Sequence, residues 1–272
     1  MSGIIESGGE VSFHALRFDR SASRYESEAG IQSRMAARLV ELWRGPEPAN
    51  ILEFGCGTGI LTRQLQRRFP VAPLLATDAA PRMLEEARNR CVVSEAGSPK
   101  FVLQDAQGMA SPSADIISIS PFDLIASNAL VQWFPDLENH LGFAANIVKP
   151  KGSCLLSGFT RSNFPELNEL LAEPPFSYRD FPGHDSDAVR VAAKNTGWET
   201  VVMETWEELE ILPSATDVLH RIQALGSTRD PRKGGRLNRK NLNHLTSEYT
   251  RRFSEAGGVR LTWQPWIALL TR

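Results

Sequence analysis

Three closely spaced glycines follow a short apolar segment early in the chain. Residues 51–59 are Ile-Leu-Glu-Phe-Gly-Cys-Gly-Thr-Gly, which places glycines at positions 55, 57 and 59. Glycine adopts backbone angles that other residues avoid, and it lets a ligand press against the main chain, where a Cβ would collide with it. Glu53 lies within the apolar segment, and its carboxylate can reach an ammonium group or a structural water. The motif indicates either a ligand-binding loop or simply a tight turn between a strand and a helix.

Two further acids stand at the ends of the next two apolar segments. Asp78 ends residues 74–78 about twenty residues after the glycines, where an acid can accept both ribose hydroxyls of a nucleotide. Asp105 follows residues 101–103, and its carboxylate can accept an adenine amino group while the Ala106 N–H meets a ring nitrogen. An NAD site would also require an acid like Asp78, but its motif is G-x-G-x-x-G rather than G-x-G-x-G. Acids at three successive strand ends therefore favour a different adenosine cofactor.

A fourth apolar segment, residues 122–127, leads to Asn128 and then to Trp133. In open α/β sheets, ligands bind beyond the carboxyl ends of the strands. We therefore expect Asn128 and an aromatic side chain at the same edge as the acids. Taken alone, Trp133 is more typical of an ordinary core residue.

Strand patterns alternate with helical patterns along most of the chain. We predict strands at 50–54, 72–77, 100–103, 122–127, 153–159, 198–207 and 259–270. Apolar residues at helical spacing predict helices at 21–43, 58–68, 80–90, 136–147, 186–196, 214–225 and 239–255. Prolines interrupt residues 161–183, which we expect to be irregular lid material. The alternation predicts an α/β fold whose parallel sheet is covered by helices on both faces.

The composition limits the classes of function. The 272 residues, of which 42% are hydrophobic, are enough for one large core, and we expect a single domain over 1–272. A net charge of -2 disfavours a general nucleic-acid binder. Three scattered cysteines without a C-x-x-C pair argue against a disulfide framework or a metal site. We find neither an export signal nor an apolar segment of about 18 residues, so we expect a cytoplasmic protein without a membrane partner.

With these elements placed, the sequence resembles the class I methyltransferases that use S-adenosylmethionine. Within them it resembles the malonyl-acyl-carrier-protein O-methyltransferase family of biotin synthesis. Beyond the cofactor motifs, the likeness includes Phe-Asp-Arg-Ser-Ala-Ser-Arg-Tyr at 18–25, Ser-Asn-Ala-Leu-Val-Gln-Trp at 127–133 and the segments 219–226 and 242–249. It covers most of residues 13–270. Residues 158–167 depart from the family pattern because they contain an arginine and a proline.

The resemblance implies a Rossmann-like α/β fold with a specific organisation. Its sheet would have seven mostly parallel strands, the last antiparallel, with helices on both faces and an inserted helical or irregular lid. Residues 13–44 would form an N-terminal helical cap of the single methyltransferase domain. Residues 161–184 and 213–256 would form lid or substrate-side insertions.

The resemblance also implies S-adenosylmethionine as the cofactor and S-adenosylhomocysteine as its product. Tyr25 and Trp133 would keep water from the methyl group, and Arg161 would hold the substrate carboxylate; these three are the predicted catalytic residues. The predicted cofactor-binding residues are Gln32, Glu53, Gly55, Cys56, Gly57, Gly59, Asp78, Ala79, Met83, Asp105, Ala106, Asn128 and Ala129.

The implied reaction is methyl ester formation on the free carboxylate of malonyl-acyl carrier protein or malonyl-coenzyme A. A carboxylate whose pKa is near 4 is already ionised at neutral pH, so the reaction needs no general base. Because an acyl carrier protein is acidic, the basic segment with Arg229, Arg232, Lys233 and Arg236 is a predicted docking surface.

Two alternatives to this function stay open at the level of the sequence. The first is a methyltransferase that acts on a free small carboxylic acid, such as an aconitate-like tricarboxylate. The second is a non-catalytic protein that binds S-adenosylmethionine. The Asn/Asp-Pro-Pro-Tyr motif of many N-methyltransferases is missing from the sequence, which disfavours a nucleic-acid base or an amide as the substrate.

Overall fold

Seven strands form the central sheet of this computed structural model, which describes residues 13–91, 98–107, 112–176, 181–225 and 238–272. In sheet order they are β3 (Lys100–Leu103), β2 (Leu74–Asp78), β1 (Ile51–Phe54), β4 (Phe122–Ser127), β5 (Val148–Phe159), β10 (Pro265–Thr271) and β6 (Glu199–Thr205). Strands β1 to β5 pair in parallel, whereas β10 is antiparallel to both β5 and β6. The predicted Rossmann-like sheet with an antiparallel last strand is confirmed.

Helices cover both faces of this sheet. They are α1 (Phe13–Glu28), α2 (Gly30–Glu41), α3 (Ile60–Arg68), α4 (Pro81–Arg90), α5 (Ala114–Ile119), α6 (Leu137–Ile147), α7 (Pro165–Ala172), α8 (Ser186–Asn195), α9 (Ala215–Ala224) and α10 (Arg239–Phe253). Alternate residues of β5 enter two different cores. Leu155 belongs to the apolar cluster that contains side chains of α2, α3 and α9, and Leu156 belongs to the cluster that contains side chains of α6 and α8. Strands buried on both faces explain the nearly continuous apolar segments in the sequence.

The order of the strands in the sheet reverses at β1, which pairs with β2 on one side and with β4 on the other. The connections after β1 and β4 therefore leave in opposite directions and open a crevice at the carboxyl edge, where open α/β sheets bind ligands. This topology brings the ends of β1, β2, β3 and β4 to one place. The sequence predicted that meeting of strand ends correctly.

The segment 161–183, for which the prolines indicated irregular structure, contains a helix, α7. Its proline, Pro165, occupies the first turn, where a missing N–H costs nothing and the fixed φ angle suits a helix. Leu167 and Leu170 are buried in the core, and the buried Glu166 carboxylate accepts hydrogen bonds from the N–H and hydroxyl of Thr262. Pro165 therefore begins a helix here rather than preventing one.

The predicted last strand is two strands in the structure. β9 (Gly258–Trp263) pairs with β7 (Glu208–Leu212) and β8 (Ser254–Glu255) in a second sheet, and only β10 enters the main sheet. The break falls at Gln264, between the fully buried Trp263 and Trp266. Both halves are apolar enough to be core strands, so the pattern alone did not reveal the break.

Two further boundaries near the start and the middle of the chain also differ. The predicted helix 21–43 is α1 followed by α2, because the backbone leaves the helical region at the buried Ala29. The short helix α5, which leads into β4, was not predicted. Within the described part of the chain, no helix is both long and apolar enough to cross a membrane.

Candidate active site

A cavity opens at the carboxyl edge of the sheet, between the ends of β1 and β4. We call it the edge cavity; it encloses about 660 Å³, including space open to solvent. Residues that follow β1, β2, β3 and β4 line it, and α1 covers one side. The predicted cofactor residues that line it are Gly55, Gly57, Asp78, Ala79, Met83, Asp105, Ala106, Asn128 and Ala129.

The glycine loop borders open space in the edge cavity. Gly55 and Gly57 have φ angles of 64° and 55°, in the left-handed region that favours glycine. A Cβ at Gly55 would come within 2.8 Å of the Leu130 side chain, which would have to shift, and the positive φ angle would add backbone strain. A Cβ at Gly57 would meet nothing within 4 Å. Gly57 therefore leaves room for a ligand beside the main chain.

Asp78 is fixed by the backbone of the loop and of the chain that follows β2. Its Oδ2 accepts a hydrogen bond from the Gly57 N–H at 2.9 Å, and its Oδ1 accepts one from the Ala80 N–H at 2.8 Å. Burial raises the pKa of Asp78 to about 6, although the N–H groups of Ala80, Gly57 and Ala79 oppose this rise. Each carboxylate oxygen keeps a lone pair that can accept a ligand hydroxyl.

Glu53 lies beneath the glycine loop and does not line the edge cavity. Its side chain is buried, and Oε2 accepts a hydrogen bond from the Thr62 hydroxyl at 2.7 Å. Burial raises the pKa of Glu53 to about 8, the Thr62 hydrogen bond lowers it, and the nearby Asp78 raises it further. The neutral carboxylic acid is therefore favoured at pH 7, and contact between Glu53 and a ligand ammonium or water stays a prediction.

Three other predicted cofactor residues also lie outside the lining of the edge cavity. Gly59 has a φ angle of 84°, and a Cβ there would come within 2.9 Å of the Cys91 sulfur. The Cys56 thiol is buried, and burial raises its pKa. Gln32 is buried on α2, and its main-chain oxygen accepts a hydrogen bond from the Asn128 amide at 3.1 Å. In this structure Gly59 is needed for packing, and Gln32 supports Asn128.

A hydrogen-bond network fixes the end of β4. The Ser157 hydroxyl donates to Asn128 Oδ1 at 2.6 Å and accepts from the Ala129 N–H at 3.0 Å. Ala129 has a φ angle of 52°, which non-glycine residues rarely adopt. Ser157 on β5 therefore holds two lining residues in one conformation. No local sequence pattern marks Ser157 as a site residue, because its role depends on the pairing of β5 with β4.

The third strand end is also ordered by local hydrogen bonds. Asp105 Oδ1 accepts from the Gln107 N–H at 2.8 Å, and the Gln104 side chain accepts from the Ser113 N–H at 2.8 Å. Gln104 and Gln107 both line the edge cavity, and neither was predicted as a site residue. The turn presents Asp105 and the buried Ala106 to the cavity, as the sequence suggested.

An aromatic wall closes one side of the edge cavity. Phe18 and Tyr25 of α1 both line the cavity, as does Trp133. The Phe18 ring lies edge-on to Tyr25 and to Trp133, with centroid distances of 6.0 and 5.8 Å. Burial, and then the charge of Asp78, raise the pKa of Tyr25, so its hydroxyl stays neutral. Phe18 was missed as a site residue, although it lies two helical turns before Tyr25 on the same face.

Arg161, the predicted substrate-binding cation, is exposed and does not line the edge cavity. Its backbone N–H donates to Asp185 Oδ1 at 3.0 Å. No lysine or arginine lines the cavity in the described part of the chain. The predicted docking residues Arg229, Arg232, Lys233 and Arg236 lie outside the described residues. Among residues the structure describes, no group of three His, Cys, Asp or Glu side chains could hold a metal ion.

Comparison with known proteins identifies the family. A family model described as a methyltransferase domain matches residues 27–202, which begin in α1 and end in β6. A malonyl-[acyl-carrier protein] O-methyltransferase from Anoxybacillus flavithermus is 30% identical over 91% of this chain and 92% of its own length. The chain belongs to the malonyl-[acyl-carrier protein] O-methyltransferase family. It is therefore a methyltransferase, and the resemblance described above is confirmed.

Other comparisons agree with this assignment. A relative of the same name from a Paenibacillus strain is 27% identical over 93% of this chain and 95% of its own length. The solved structure of magnesium protoporphyrin IX methyltransferase from Synechocystis, which contains bound SAH, covers 98% of this chain and 90% of its own. The TM-score is 0.51 at 15% identity, so this second comparison supports the fold alone.

Proposed function

We propose that this enzyme transfers a methyl group from S-adenosylmethionine to the free carboxylate of malonyl-acyl carrier protein, an early reaction of biotin synthesis. One observation carries the proposal: similarity to relatives named for this reaction extends over nearly the whole chain. Two of them are 30% identical and align with 91% and 94% of the chain. The similarity is therefore not confined to the strands that surround the glycine loop.

The residues of the edge cavity fit S-adenosylmethionine. The cavity is concave, and polar groups from several strand ends converge on it, as in sites that bind small molecules. We assign the ribose hydroxyls to the Asp78 carboxylate and the adenine to Asp105 and the Ala106 N–H. The amino-acid end would lie beside Gly57, where a Cβ would otherwise occupy the space. Glu53 would support this end from below the loop.

The charges of the cavity lining also suit a cationic cofactor. Asp78 and Asp105 line it, whereas no lysine or arginine of the described residues does. S-adenosylmethionine supplies a methyl group that is activated by bonding to a positively charged sulfur. Complementary charge in a confined space favours such a ligand over a dinucleotide, whose pyrophosphate would meet the acids.

The protein contributes orientation and exclusion of water rather than proton transfer. The malonyl carboxylate, with a pKa near 4, is already a nucleophile at neutral pH. Opposite charges disappear as the ester forms, so a dry environment lowers the barrier. The wall formed by Phe18, Tyr25 and Trp133 shields the reacting atoms, and the neutral Tyr25 hydroxyl adds no charge beside them.

The substrate carboxylate requires a cation, and Arg161 remains our proposal for it. Arg161 is exposed and follows β5, whose carboxyl end adjoins that of β4. A guanidinium can bind a carboxylate through two parallel hydrogen bonds. Replacing Arg161 by alanine should raise KM for malonyl-carrier with little effect on kcat, whereas an Arg161→Lys control should retain part of the affinity. An unchanged KM would exclude Arg161 from the site.

The decisive experiment supplies labelled S-adenosylmethionine with several acceptors and measures the product by mass spectrometry. Malonyl-carrier should gain one methyl group, and acetyl-carrier, which has no free carboxylate, should gain none. Malonyl-coenzyme A and free diacids test how much the carrier contributes. Equal turnover of a free diacid would instead support an enzyme for small acids, and binding without methyl release would indicate a non-catalytic protein.

A further inference from the structure

A second groove lies beside α1, on a different face from the edge cavity. We call it the arginine groove; it encloses about 1580 Å³, including space open to solvent. Helix α1 contributes Arg17, Arg20 and Arg24, and α9 contributes His220 and Arg221. The groove also contains the acids Glu28 and Asp217. Its arginines outnumber its acids by four to two.

The acids of α1 are already occupied by ion pairs with other helices. Asp19 contacts the Arg82 guanidinium on α4 at 3.5 Å. Glu26 binds Arg63 on α3 at 2.5 Å, and it lies 3.4 Å from Arg90. These pairs link α1 to α3 and α4. Neither Asp19 nor Glu26 forms an ion pair with Arg20 or Arg24.

The arginines of the groove differ in how well they are paired. Arg221 binds Glu28 at 2.7 Å and Glu210 at 2.8 Å, so its charge is compensated. Arg20 and Arg24 are exposed, and within the described part of the chain they make no ion pair. They stand four residues apart, where two like charges on a helix repel each other. An anionic partner would relieve this repulsion.

Helix α1 connects the two sites directly. Phe18 and Tyr25 line the edge cavity, whereas Arg20 and Arg24 line the arginine groove. A helix with its side chains is only about 10–12 Å across. A partner held at the groove would therefore stand one helix away from the proposed methyl-transfer site, which suits an acyl group delivered on a long arm.

We propose that the arginine groove is the docking surface for an acidic helical face of the acyl carrier protein. This inference rests on the proposed function, because it concerns how the carrier presents its malonyl group. Positive charge beside the entrance to a site raises the rate of encounter with an acidic partner and selects its orientation. The lining residues of the groove do not include Arg229, Arg232, Lys233 and Arg236, which the sequence suggested for this role and which lie outside the described residues.

The test reverses the two unpaired charges with Arg20→Glu and Arg24→Glu together. We expect kcat/KM for malonyl-carrier to fall on the order of 30-fold at low salt, and the salt dependence of the reaction to weaken. Malonyl-pantetheine, which has neither phosphate nor protein, should be methylated at the wild-type rate. Circular dichroism and thermal unfolding check that the double variant folds.

A matched control makes the same change in charge elsewhere. Arg190→Glu with Lys194→Glu alters exposed residues on α8, which packs against α6 and β6 rather than α1. This pair should leave both substrates unaffected. Equal losses in the two double variants would attribute the effect to net charge and overturn the proposal, as would an equal loss on malonyl-pantetheine. If the wild-type enzyme methylates neither substrate, the proposed function itself fails.

Discussion

Replacing Gly57 with alanine separates ligand contact from backbone strain, because the chain contains a matched glycine elsewhere. Gly57 and Gly197 both have positive φ angles, 55° and 83°, and an added Cβ would meet nothing within 4 Å at either position. Alanine in the left-handed region costs about 1–2 kcal/mol at each site. The free energy of unfolding should therefore fall by a similar amount in Gly57→Ala and Gly197→Ala.

The two variants should differ in cofactor binding. Gly57 lines the edge cavity, and its N–H holds the Asp78 carboxylate, whereas Gly197 lies in the turn between α8 and β6. An extra methyl group in a filled site costs about 1–3 kcal/mol. About 2 kcal/mol corresponds to roughly a 30-fold rise in Kd for Gly57→Ala. Gly197→Ala should bind as the wild type does.

Titration calorimetry with S-adenosylmethionine and S-adenosylhomocysteine measures the two Kd values, and thermal unfolding measures the stability of each variant. Tight binding by Gly57→Ala would show that the cofactor does not approach the glycine loop. An equal loss of affinity in Gly197→Ala would show that strain, rather than contact, is responsible. Either result would refute the assignment of the edge cavity.

Three further predictions concern protonation and the aromatic wall. The pKa of Asp78 is about 6, and ligand hydroxyls would donate to its ionised form. The Kd of S-adenosylmethionine should therefore rise about tenfold for each pH unit below 6. The Kd measured for Asp78→Asn over the same pH range should lack this slope. Because folding raises the pKa of Glu53 to about 8, its contribution to stability is complete below its unfolded pKa of 4.5 and disappears as pH rises through 8. Relative to the wild type, the free energy of unfolding of Glu53→Gln should therefore rise by about 4 kcal/mol between pH 5 and 9 in urea unfolding, and parallel curves would contradict this. Phe18→Ala should reduce kcat about tenfold, because water then reaches the reacting atoms, while the affinity for the cofactor changes less. Stopped-flow kinetics and equilibrium binding measure the two quantities, and an equal loss in both would contradict the prediction.

The α1 helix shows how much of the site depends on contacts between distant parts of the chain. Tyr25 was predicted from its resemblance to the family, and the structure places it beside the cavity with Phe18 and Trp133. Helical spacing put Phe18 on the same face as Tyr25, but no local pattern indicated which surface that face would cover. Ala22, Phe18 and Tyr25 pack against Ala80 and Met83, and ion pairs from Asp19 and Glu26 reach other helices, so contacts between distant segments position α1.

Arg161 and Glu53 illustrate the same limit for charged residues. Their positions after β5 and within β1 were correct, because strand boundaries follow from the apolar pattern. Their environments were not readable from that pattern: Arg161 is exposed, whereas Glu53 is buried under the loop with a raised pKa. The partners come from later segments: the Thr62 hydroxyl donates to Glu53, and the Arg161 N–H donates to Asp185.

The sequence by itself determined the cofactor edge of this protein. The glycine loop, Asp78 and Asp105 follow apolar strands, and parallel strands joined by helices must bring their carboxyl ends to one edge. Tertiary packing alone decided the aromatic wall, the support of Asn128 by Ser157, the second sheet and the arginine groove. Each of these is formed by segments far apart in the chain, so its geometry depends on contacts that local sequence patterns do not specify.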